Sequence, residues 1–147
     1  MAFHLHRQIR EAATTALTGL VTSGARVYPN RLHPFDPASM PGLRISTSED
    51  NVIVETVHAP HLQQHSLQLV VECVAAAVAE LDDLCDAMSQ EVEIALAGGI
   101  VIGTRTLRPV LAGSTYDDEA AATPAGSKRL TFAVDYFCLN TQPDTLS

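Results

Sequence analysis

Ser66-Leu67-Gln68-Leu69-Val70-Val71-Glu72-Cys73-Val74-Ala75 is the stretch from which the fold can be read. Leu67, Leu69, Val71, Cys73 and Ala75 share one face, and Gln68 and Glu72 share the other with valines 70 and 74. A period of two marks a strand with one buried face, and the valines predict partial cover on its second face. From residue 77 the period lengthens. Leu81, Leu84, Cys85, Met88, Val92, Ala95 and Leu96 recur at helical spacing up to residue 97, with Glu80, Asp82, Asp83, Asp86, Glu91 and Glu93 mainly off the stripe. The early acids suit the positive end of a helix dipole, and Gly98-Gly99 is a stop. The strand-to-helix boundary falls in the Ala-rich run 75–79.

Working outward, residues 4–20 predict a first helix whose stripe is Leu5, Ile9, Ala12, Ala13, Ala16, Leu17 and Leu20, ended by Thr22-Ser23-Gly24. A short apolar piece, 25–28, runs into a segment with prolines at 29, 34, 37 and 41, which reads as loop. Residues 43–47 and 52–57 predict a hairpin around Ser48-Glu49-Asp50-Asn51, which has turn chemistry. Towards the C-terminus, Ile100-Val101-Ile102-Gly103 is a connector and 104–116 is extended. Residues 117–127 form an acidic loop. Leu130, Phe132, Val134, Tyr136 and Cys138 then alternate in a last strand. The 104–116 and 128–139 pieces predict a long C-terminal antiparallel β-hairpin, and 140–147 a frayed tail. The expected fold class is α+β, a mostly antiparallel sheet with two helices packed on one face, in one domain over 1–147.

The chain has 147 residues, 46% of them apolar and 18% charged, and 9 Lys/Arg against 17 Asp/Glu give a net charge of −8. A chain of this length can bury roughly 70% of its unfolded surface without disulfides. The acidic balance argues against duplex DNA binding as the main task. Three scattered cysteines, at 73, 85 and 138, make no disulfide framework and read as small buried hydrophobes. No run of about 18 apolar residues predicts a membrane span, and Met-Ala-Phe-His-Leu-His-Arg lacks a secretory pattern. The expectation is a soluble protein of a reducing compartment, with no membrane partner.

Chemistry-bearing motifs are sparse. Gly98-Gly99 and Gly103 are not followed by Lys-Ser or Lys-Thr, and no nucleophile elbow occurs. His58, His61 and His65 are three imidazoles within eight residues, a set a zinc-class metal would accept. No acid lies close in sequence to complete it, and a polar loop carrying His accounts for the spacing. His4 and His6 read as solvent-facing. The adjacent acids Asp82-Asp83 diverge by about 100° on a helix, so they make no catalytic dyad. No catalytic, cofactor-binding or metal-binding residue is assigned on this reading.

Three segments carry a resemblance. Residues 6–28 join a helix to a strand through Thr-Ser-Gly. Leu-Gln-Leu-Val-Val-Glu-Cys-Val (67–74), Glu-Leu-Asp-Asp-Leu-Cys (80–85) and Glu-Val-Glu-Ile-Ala-Leu-Ala (91–97) make a strand feeding an acidic helix. Gly-Ser-Lys-Arg-Leu-Thr-Phe-Ala-Val-Asp-Tyr (126–136) closes the chain. This order resembles the tail terminator proteins of long-tailed bacteriophages, the minor tail protein U-like family, and related tail-completion proteins. The resemblance implies a non-enzymatic virion subunit without a cofactor, made in the host bacterial cytoplasm. It implies a hexameric ring that caps the tail tube, stops its polymerisation and meets the head-side connector or stopper protein, while DNA crosses an acidic lumen unbound. Arg26, Arg31 and Arg44 are expected to pair with Asp82, Asp83 or Asp86 of a neighbouring copy, so that Arg44→Glu weakens assembly and spares folding. Other head-tail joining proteins, a metal-dependent enzyme using His58, His61 and His65, and an acidic adaptor without a ring are the alternatives.

Overall fold

The structure, a computed structural model, describes residues 3–36, 38–76, 80–119 and 125–147, apart from the side chains at 118 and 119. Its elements in chain order are α1 (Leu5–Leu17), β1 (Val27–Tyr28), β2 (Gly42–Val54), β3 (Leu62–Ala76), α2 (Leu81–Ala97), β4 (Ile100–Ile102), β5 (Arg105–Leu107), β6 (Val110–Glu119) and β7 (Ala125–Leu139). The main sheet has the order β1-β2-β3-β7-β6. Only β1 and β2 run parallel; the other neighbours are antiparallel. The fold is α+β, as the periodicities require, and β6 with β7 forms the C-terminal hairpin.

The alternating residues meet as the pattern demands. In the register of β3 and β7, Leu67 faces Val134, Leu69 faces Phe132 and Val71 faces Leu130. These positions, with Leu43 and Ile45 of β2, form one apolar surface. Leu5, Ile9, Ala13 and Leu17 of α1 and Cys85, Met88, Val92 and Leu96 of α2 cover it. Both helices therefore lie on one face. The second face is covered at one end, where Phe35 and Met40 of the Pro-rich segment pack on Val74 and Ala125. That is the cover the valines predict.

Five expectations need correction. Residues 43–57 are no hairpin: β2 runs through Ser48-Glu49-Asp50-Asn51 as one strand, with its register shifting between Thr47 and Asp50. Those polar residues make an irregularity in an outer strand, and the turn comes later, at 58–61. Residues 105–107 pair with β4 in a separate two-stranded sheet, so the C-terminal hairpin starts at Val110. Its strands extend to Glu119 and from Ala125, which shortens the expected 117–127 loop; 120–124 lie outside the described residues, as does 77–79 of the Ala-rich run. The 140–147 tail is tied down. Leu5 N donates to Pro143 O and Ser147 N to Phe137 O, both at 2.9 Å, and Leu146 packs against the core. The first helix also ends three residues early, at Leu17.

Gly42 sits where β2 leaves the Pro-rich segment. A Cβ there would run into the carbonyl oxygens of Ser39 and Arg26 and the Phe35 ring, whereas one at Gly113 would meet nothing within 4 Å. Gly42→Ala is expected to lower unfolding free energy by about 1–3 kcal/mol and Gly113→Ala to change it by less than about 0.5 kcal/mol, as read by urea denaturation.

Candidate assembly surface

A sheet that ends in water leaves unpaired donors and acceptors along its outer strands, and a second chain can use them. Both outer edges here are of that kind. Val110 through Asp117 of β6 are exposed at every position. At the opposite edge β1 pairs only with Leu43 and Arg44, so beyond them the side of β2 away from β3 has no strand beside it among the described residues; residues 45–47 there are buried, and 48–54 are largely exposed. The tip of the β2–β3 hairpin adds apolar surface. Val52, Ile53, Val54 and Val57 are all exposed, Ile53 by 60% and Val57 by 88%, with Phe137 exposed on β7. A cluster of large apolar side chains in water marks an interaction surface more often than scattered single residues do.

The edges differ in charge. Beside β2 a cleft is lined by Arg10, Asn30, Arg31, Ser46 and Thr47. Beside β6 lies Asp82, exposed like Asp83 on the first turn of α2. Asp86, on the next turn, accepts from Tyr116 Oη and, at 3.2 Å, from Lys128 Nζ. Those bonds, the one from Tyr116 first, hold the Asp86 carboxyl below its ordinary range, and the same bond to Asp86 pushes the Tyr116 phenol up. Arg10 and Arg31 thus lie beside β2, and Asp82 and Asp86 lie beside β6, where Lys128 offsets part of the Asp86 charge.

The six residues singled out for subunit contacts divide accordingly. Asp82 lines a cleft with Tyr116 and Asp117 and Asp86 bonds Tyr116, so these two stand at the β6 edge, while Asp83 is exposed on the first turn of α2. Arg31 stands at the β2 edge, one of its nitrogens donating to Thr47 O. Arg26 is committed within the chain, donating to Pro41 O at 2.7 Å and Thr22 O at 3.0 Å. Arg44 is buried, paired with Glu72 Oε2 at 2.5 Å and donating to His33 O at 3.0 Å. It pins the Pro-rich segment, whose His33 ring stacks on Tyr28 of β1 at 3.7 Å. Arg10 was legible as a residue off the apolar stripe of the first helix; only the folded edge sets it beside Arg31.

The three histidines at 58, 61 and 65 are not gathered. His61 Nδ1 lies 3.1 Å from Thr56 O in the hairpin tip, while His65 sits within β3 and meets Asp50 and His6. Spacing alone missed that group, because His6 and Asp50 are 44 residues apart. All three cysteines are free and buried. Burial pushes the Cys73 thiol up to about 12 and raises Cys85 and Cys138 as well.

No family model and no curated protein matches the chain. Among solved structures, a chain from the virion of a native gene transfer agent particle is similar at 18% identity and a TM-score of 0.42, over 90% of each chain. Similarity of that degree assigns no function, which must be argued from the residues.

Two outcomes follow from this geometry. Arg44→Glu sets a carboxylate against Glu72 in a nearly dry site, and the unfolding free energy is expected to fall by about 3 kcal/mol or more. Arg31→Glu should cost less than about 1 kcal/mol; urea midpoints measure both. Cys73, Cys85 and Cys138 should resist iodoacetamide at pH 8 in the folded protein and react together once it is unfolded, as intact mass will show.

Proposed function

We propose that this chain is a structural subunit of a phage-like virion, a tail terminator whose copies close into a ring on the end of the tail tube. The observation that carries the reading is the pairing of opposite charge with open backbone at the two sheet edges. A protein whose two contact surfaces differ associates head to tail, and such contacts close into rings when the rotation between copies allows it. The β6 edge of one copy, with Asp82 and Asp86 and the neighbouring Asp83, would meet the Arg10 and Arg31 edge of the next. The sequence resemblance supplies the terminator position and the count of six.

The remaining surface supports the same role. The apolar residues of the β2–β3 tip are exposed and suit docking on another ring, either the tube or the head-side protein. With −8 charge per copy, a ring lumen repels the DNA backbone and lets the duplex pass without a bound state. Catalysis plays no part in this account, which depends on shape, edges and charge.

Charge reversal tests it. Arg10→Glu with Arg31→Glu should leave a folded chain that no longer forms rings, and adding Asp82→Arg with Asp83→Arg should restore them, as followed by sedimentation and electron microscopy. When the tube protein of the same particle polymerises in the presence of the native chain, tubes should be capped at one end and uniform in length, and Ile53→Glu should abolish capping. Uncapped tubes with the native chain would end the terminator reading, and rings that survive the double reversal would end the edge pairing.

A further inference from the structure

We infer that His6, Asp50 and His65 form a binding site for one divalent transition-metal ion of the zinc class, set where α1 meets the sheet. The site lies on the helical face, apart from the edges to which the assembly role is assigned. His6 comes from the first turn of α1, Asp50 from the irregular stretch of β2 and His65 from β3. His6 Nε2 lies 2.8 Å and His65 Nδ1 2.6 Å from the same oxygen, Asp50 Oδ2. One ligand atom from each of the three lies within 4.8 Å of the others. Two imidazoles and a carboxylate are a donor set that zinc-class ions accept.

Three features favour a cation over a simple hydrogen-bonded tie. The other carboxylate oxygen, Asp50 Oδ1, is buried without a hydrogen-bond partner, and an orphaned buried acceptor is costly. A cation bound through both carboxylate oxygens removes that cost. Secondly, His65 Nε2 already faces Gln63 Oε1 at 3.1 Å. A metal-bound imidazole carries its proton on the far nitrogen and donates it to such an acceptor. With the metal on Nδ1, the His65 proton sits on Nε2 and bonds Gln63, so both nitrogens are satisfied. Thirdly, the His65 ring is fixed: Tyr136 stacks on it at 4.7 Å and 7°, and Cys138 Sγ lies 3.2 Å from Nε2.

The adjustment needed is small. Tetrahedral bonds of about 2.0–2.1 Å put ligand atoms roughly 3.3 Å apart, so Asp50 must retreat by about half an ångström from each ring. His6 keeps 30% of its side chain exposed against 10% for His65, which leaves an entry path and room for a water in the fourth position. Such an ion would fasten the first turn of α1 to β2 and β3.

Titration of chelator-treated protein with Zn²⁺ and with Co²⁺ tests the site. The expected result is one equivalent bound, the visible absorption of tetrahedral Co²⁺, and a raised melting temperature with Zn²⁺. His6→Ala and His65→Ala should each weaken binding at least tenfold and Gln63→Leu about tenfold, whereas His58→Ala with His61→Ala should change nothing. His6 is partly exposed, so its variant stays informative if the His65 variant fails to fold; circular dichroism checks both. Zinc bound no more tightly by the native chain than by His6→Ala, or binding lost with His58 and His61, would overturn the inference and leave the cluster as a hydrogen-bonded tie.

Discussion

The register between β3 and β7 is the constraint on which everything else rests. Each strand has 15 residues, far beyond the usual five or six, and they pair without a break from Leu62 opposite Leu139 to Ala76 opposite Ala125. A slip of β7 by one residue against β3 would turn Leu130, Phe132 and Val134 away from the helices together. With that register fixed, one face of the sheet is apolar along its centre and α1 and α2 have one place to go. The outer strands then inherit their positions, β2 against β3 and β6 against β7, and their outer edges are left to water.

An edge that stays open is a hazard for a solitary protein and a means of association for a subunit. Proteins that must remain alone blunt such edges with charge, proline or a covering loop. Here the Pro-rich segment covers a face, held in that position by the buried pair of Arg44 and Glu72; its Arg31 takes up Thr47 O, and the β2 edge is left open from Ser48 onward. Arg10 and Arg31 lie beside one edge and Asp82 and Asp86 beside the other, a difference that the proposed head-to-tail contact uses. Electrostatics of this kind selects orientation and partner more than it adds affinity, which is what a ring of defined direction needs.

How much of this the residues disclose depends on the range of the interaction. Period two over 66–75 and 128–139 and the helical stripes of α1 and α2 are local properties, and the strands and helices follow from them. The core residues are legible for the same reason. Ser48-Glu49-Asp50-Asn51 misleads because turn residues also suit an irregular stretch in an outer strand; what keeps Asp50 in the sheet is its contact with His6 and His65, remote in sequence. The tail looks frayed because its contacts, to Leu5, Phe137 and the core, lie beyond any local pattern. Of the residues proposed for subunit contacts, the acids are visible as the polar side of a helix. The arginines are not separable by type: Arg44 and Arg31 look alike in sequence, and only the fold turns one inward to Glu72 and the other towards an edge.

Amide hydrogen exchange, compared between the free chain and the chain incorporated into particles, reaches the central claim most directly, because it reports on backbone donors themselves. Pairing edge to edge predicts that exchange slows on incorporation along 110–117 of β6 and along the outer part of β2, with 52–57 slowed by docking of the hairpin tip, while the amides of β3 and β7 stay as they were. Unchanged exchange along both edges in assembled particles would contradict a role built on those edges.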